Sequence, residues 1–190
     1  MSAVPVRQPM LGLAVVWAVL LAGAFVAPHV LPDRDPADVV TRQTARVAVL
    51  FWALAVGALL LRRRDFARAA WALGATAFCI HVATAFDQVH GWSHAAAVRH
   101  VEAVSGFGPG LFVSYAFTAV WAIDAAWWLA DPVGYDARPG WLDWAVQGFL
   151  AFVVFNATVV YEKGFIRWAG VLTFTLLALL GLWRLSRRDR

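Results

Sequence analysis

Cysteine, lysine and charge are all scarce in this chain. Cys79 is the only cysteine, so no intrachain disulfide and no cysteine-based metal knuckle can form. Lys163 is the only lysine; the arginine bias points to a GC-rich bacterial genome and says nothing of mechanism. Charged residues make up 15% of the chain against 62% hydrophobic ones, a balance foreign to water-soluble globular domains. Too little polar sequence remains for a soluble domain, so we take residues 1–190 as a single transmembrane domain. No internal repeat is present, which weighs against an inverted-repeat transporter. The formal net charge of +4 does not imply a nucleic-acid partner, because the basic residues flank apolar runs of spanning length, where they meet membrane lipid headgroups.

What is present is a series of such runs. A spanning helix needs ~20 mostly apolar residues to cross ~30 Å of hydrocarbon. Six segments fit: 10–31, 40–61, 66–86, 111–130, 141–161 and 165–183. Arg7 ahead of the first run gives it the look of a signal peptide, but the run continues at spanning length with no clean cleavage site, so it is read as a span. The expected fold is all-α, a polytopic helical bundle of about six transmembrane helices. The second span borrows Thr41 to Arg46, its arginines snorkelling outward. Turn-forming DRDPAD, RRRD, SGFGPG, DPVGYDARPG and YEKG separate the spans. Ten of the sixteen Lys and Arg residues fall on the side of the termini, so both termini are expected in the cytoplasm of a bacterial inner (plasma) membrane.

Four of the five histidines lie in FCIHVATAFDQVHGWSHAAAVRHVEAVSGFGPG. If the helix continued unbroken, ~100° per residue would place Asp87, His90 and His94 within an arc of roughly 60°, with His81 on the opposite face from His90. Two histidines at i and i+4 with a carboxylate can converge on zinc or non-haem iron. The competing reading is an interfacial loop facing headgroups and water, with Trp92 as an anchor. After Ser93, a suitable N-cap, the pattern HAAAVRHVEAV predicts a short amphipathic surface helix.

Spans four and five read as an antiparallel hairpin whose turn centres near Tyr135 and Asp136. That register sets Tyr115 level with Asn156, and Asp124 level with Gln147. Ser114, Tyr115, Thr118 and Asn156 are expected to act as interhelical hydrogen-bond glue beside His81. Asp124, the most deeply placed acid, must be protonated or paired, with Gln147 as the candidate partner. Trp127, Trp128, Trp141 and Trp144 read as an aromatic belt.

The pair His90 and His94 is similar to one histidine box of the membrane fatty-acid hydroxylase and alkane monooxygenase families, which would imply iron. Those families use many more histidines, including adjacent His-His pairs absent here. The same HxxxH spacing resembles that of the alkaline ceramidase and adiponectin receptor superfamily, which would imply zinc, although there the pair lies in the last span. Membrane b-type cytochromes offer a third comparison, for which His29 and His81 are the available pair.

The leading expectation is therefore a metal site of His81, Asp87, His90 and His94 at the outer, periplasmic face, acting on a lipid-like substrate, with Tyr115, Asn156, Asp124 and Gln147 as supporting polar groups. A zinc ion there would acidify a bound water; iron would support redox chemistry. The alternatives are a haem b or quinone-linked electron carrier using His29 and His81, and a non-catalytic membrane subunit or scaffold, in a homo-oligomer or with a partner subunit.

Overall fold

The computed structural model describes residues 7–31 and 34–187, with the side chains of residues 7–9 left aside. Of the charges used to orient the chain, the Arg7 side chain, Asp33, Arg188 and Arg190 lie outside what is described. Among the described residues there is no strand. The helices are α1 (Arg7–Val30), α2 (Pro36–Leu60), α3 (Arg64–Gln88), α4 (His94–Ser105), α5 (Gly110–Ala130), α6 (Pro132–Asp136), α7 (Gly140–Phe155), which runs into a π-helical turn (Asn156–Val160), and α8 (Gly164–Ser186). Six of them are long and apolar enough to cross a membrane, the fifth being α7 with its π-helical turn, and this fits an integral membrane protein in contact with lipid. Helix α4 is the expected short helix after the third span, opened by Ser93, whose Oγ accepts from the Ala96 amide at 3.2 Å.

The caps explain the boundaries. Asp35 accepts the Ala37 amide at 3.0 Å and Pro36 stands in the first turn, so α2 begins four residues before Val40. Its other end closes with Arg63 N–H to Ala58 O at 2.8 Å and Arg62 N–H to Leu59 O at 3.0 Å, which requires a left-handed residue between them. That residue is Arg62, with φ 58°, in a position that glycine fills without strain.

The chain divides into two compact units, one ending at Gly91 and the other beginning at Trp92. In the first, α2 and α3 pack along their whole length with α1 against both. Buried Ala48, Ala55, Ala67, Ala70 and Ala77 let the backbones approach, and Phe51, Trp52 and Trp71 fill the space between. Trp17 Nε1 donates to the Leu73 carbonyl at 2.8 Å and fixes the level of α1 against α3.

In the second unit α4, α6 and α7 each pack on α5, and α8 packs on the π-helical turn. Phe117, Trp121, Trp128, Tyr135, Leu150 and Val154 are buried. Gly170 of α8 sits directly on Thr158: a Cβ there would lie 2.9 Å from Thr158 Oγ1 and 3.1 Å from its carbonyl oxygen. Gly170→Ala should therefore lower stability by about 1–3 kcal/mol in detergent unfolding. Gly181→Ala on the same helix, whose Cβ would meet nothing within 4 Å, should not. Equal stability of the two variants would refute the close approach.

Candidate functional site

The histidine segment does not form one helix face. Helix α3 ends at Gln88, and Gly91 and Trp92 take positive φ values of 53° and 57° before α4 starts at His94. The angular argument that aligned Asp87, His90 and His94 needs an unbroken helix, so it fails at this corner. Asp87 is exposed, and His90 is half-buried with its ring edge-on to Phe86 at 5.5 Å. His94 is exposed; its Nδ1 and the Tyr115 hydroxyl are 2.9 Å apart, joining α4 to α5. Among the described residues no three His, Cys, Asp or Glu side chains are grouped to hold a metal ion.

His81 stands apart from these. It lies within the third span, half-buried, with Nδ1 2.9 Å from the Thr41 carbonyl of α2. A carbonyl only accepts, so Nδ1 carries the proton; in the neutral imidazole Nε2 then holds the lone pair, with no partner among the described residues. The Thr41 hydroxyl oxygen is buried without a partner. His29 is exposed at the end of α1.

The interhelical role expected of the other polar groups holds for Tyr115 alone. Thr118 donates to the Ser114 carbonyl at 2.7 Å and Asn156 to the Phe152 carbonyl at 2.8 Å, each one turn back on its own helix. Each of these groups spends a donor on its own helix, and no bond from either to a neighbouring helix is present among the described residues.

Asp124 also departs from expectation: it is buried and paired, but not with Gln147. Asp131 ends α5 and caps α6, accepting the Gly134 amide at 2.9 Å, and Pro132 opens that helix. The chain thereby doubles back and lays Tyr135 flat on Trp128, centroids 4.6 Å apart, with the edge of Trp127 at 5.8 Å. Two residues after α6, Arg138 donates from Nη1 to Asp124 Oδ1 and from Nε to Asp143 Oδ1 at 2.7 Å, with Nη2 on the same Asp143 oxygen. Tyr135 donates its hydroxyl to Asp124 Oδ2 at 2.8 Å. The guanidinium carbon lies 3.7 Å from the Tyr135 ring centroid. Both oxygens of Asp124 are thus taken by residues of the connecting segment. The hairpin register compared spans with each other and had no term for a link that folds back. Arg138, Tyr135 and Asp143 were missed for that reason; the Asp-Pro start and the lone Arg in DPVGYDARPG were the available signals.

Burial, and then the neighbouring Asp124 carboxylate, push the Tyr135 hydroxyl well above its ordinary range. Burial works against the Arg138 charge, but its hydrogen bonds to Asp124 and Asp143 outweigh that and raise its pKa further. A guanidinium that stays charged passes no proton at ordinary pH, so the cluster acts as a clamp on the α5–α7 connection. In comparison with known proteins, no family model, no curated protein and no solved structure matches the chain.

Removing one partner of a buried ion pair leaves the other charge uncompensated. Arg138→Met or Asp124→Leu should each destabilise the protein by about 3–5 kcal/mol, and the double variant should regain most of the loss. Additive losses would refute the pairing. The fold favours the neutral Tyr135 hydroxyl, so its contribution is complete below the unfolded tyrosine value of about 10 and declines as pH rises beyond it. An alkaline absorbance titration of wild type minus Tyr135→Phe should show no tyrosinate signal below about pH 11; a signal there would refute the buried hydroxyl bond.

Proposed function

We propose that the protein is a multi-pass bacterial inner-membrane electron carrier, with both termini cytoplasmic, that holds a redox group through His81. The observation that carries this reading is the imidazole itself. Its Nδ1 proton is committed to the Thr41 carbonyl, and its Nε2 lone pair has no partner among the described residues. Histidines that ligate a metal typically show this arrangement, because the second hydrogen bond fixes the tautomer and makes the ligating nitrogen more basic. Polar groups within spans are costly and are read as functional by default.

Haem b is the first choice of group; His81 and His29 are the residues that would hold it, and when bound it would supply one-electron transfer. Trp17 is level with Leu73, so His29, twelve residues past the one, lies about 6 Å beyond His81, eight residues past the other, toward the same end of the unit. The second choice is a quinol, whose hydroxyl would donate to Nε2. The four-residue metal site of His81, Asp87, His90 and His94 draws less support, because its ligands do not gather.

The detergent-purified protein should carry iron and an intense Soret band, both lost in His81→Ala and retained in His90→Ala. Absence of colour with about one quinone per chain in an organic extract, lost in the same variant, would select the quinol. About one zinc or iron per chain without a Soret band, lost in His90→Ala, would replace this reading with the metal site. Absence of metal, colour and quinone would overturn it in favour of a non-catalytic membrane subunit.

A further inference from the structure

The corner between α2 and α3 combines three features that no helix-packing argument requires. The first is charge: Arg62 and Arg63 are exposed, and neither has an ion pair or hydrogen bond from its side chain among the described residues. The nearest acid, Asp65, is already engaged, accepting from Arg68 Nη2 at 3.0 Å. The second is backbone conformation. Arg62 occupies the left-handed position of the helix-ending motif at φ 58°, where glycine is the strain-free choice. A cation is therefore held at a point where the fold alone would be served better by a residue with no side chain.

The third feature is an apolar track leading to those charges. Leu50, Leu54 and Leu61 are 44%, 37% and 48% exposed. At ~100° per residue they fall within an arc of about 40°, a leucine stripe running along α2 to the arginine corner. Arginine matches a phosphate diester in charge and in donor geometry, and the stripe offers acyl chains a surface beside it.

We propose that the Leu61–Arg64 corner, with the Leu50–Leu54–Leu61 stripe, is a binding site for an anionic phospholipid. Its phosphodiester engages Arg62 and Arg63, and its acyl chains lie along the leucines. The strain at Arg62 is retained because it adds a second guanidinium to the corner for the same phosphodiester. The shared chemistry of phosphate could also be met by a free anion; the continuity of charge with the apolar stripe selects the lipid.

The test uses the full chain in nanodiscs of phosphatidylcholine with and without phosphatidylglycerol, reading the shift in Tm and the lipids retained in native mass spectrometry. Wild type should gain Tm from phosphatidylglycerol and retain it preferentially. Arg62→Gly relieves the positive φ, so it should melt at or above wild type in phosphatidylcholine while binding phosphatidylglycerol about fivefold more weakly, the effect of one cation at a membrane surface. Arg62→Gly with Arg63→Ala should lose most of the shift. Arg187→Ala, which removes one charge just past α8 as Arg62→Gly removes one at the corner, should keep it. An undiminished shift in the double variant would overturn the site, and an equal fall in Arg187→Ala would reduce it to net charge. A Tm gain of the same size from inorganic phosphate in phosphatidylcholine would overturn the lipid assignment.

Discussion

Hydrocarbon offers no water to a polar atom, so each donor and acceptor inside the spans must be satisfied by the chain or remain as a standing cost. Most of the structure follows from that constraint. Backbone groups are absorbed by helices throughout. The hydroxyls of Thr44, Thr84, Thr118, Thr158, Thr173 and Thr175 each donate to the carbonyl four residues back, which spends their protons within their own helices. Helix association is then left to shape. In the first unit, alanines face tryptophans; in the second, Gly170 lets α8 settle onto Thr158.

Asp124 is the severest case of the same constraint, since a carboxylate has two oxygens to satisfy and no donors of its own. The solution comes from the connecting segment and not from another span. Helix α6 exists because Asp131 and Pro132 start it, and its single turn and a half is enough to deliver Tyr135 and then Arg138 to the acid. Trp128 and Trp127, which the sequence suggests as anchors in a belt, instead wall the cluster: Trp128 is 1% exposed and stacks on Tyr135. Asp143, half exposed at the start of α7, holds the far edge of the guanidinium, so the same arginine ties α5, the connection and α7 together.

The spans were legible because length and apolarity are imposed by the bilayer itself, and their ends agree within a few residues except at α2. There the expected span extends the apolar run outward through Arg46 and Arg42 to Val40 and stops, whereas the Asp35-Pro36 cap starts the helix at Pro36. The site was less legible for two physical reasons. Angular reasoning over Asp87, His90 and His94 holds only on a continuous helix, and Gly91, whose φ of 53° breaks it, was visible in the sequence without its consequence being fixed. Depth matching of Asp124 with Gln147 treated the link as a passive turn, although a link with its own caps is a structural element. His81 was identified as an intramembrane histidine; its bond to Thr41 is a meeting of α2 with α3 that no local pattern encodes.

Three polar groups near or within the bilayer show what the constraint leaves over. Arg138 is enclosed by two carboxylates and an aromatic face, so each of its three side-chain nitrogens has an acceptor within the protein. His81 is met halfway, with one ring nitrogen bonded and the other carrying a lone pair into the span. Among the described residues Arg62 is met in nothing but its backbone, and in a conformation that its side chain makes worse. Where a fold spends stability to keep a group that its own packing does not use, the remaining interaction has to come from another molecule. By that reasoning the clamp at Arg138 is architecture, while His81 and the arginine corner, both in the first unit, are the two places proposed for ligands.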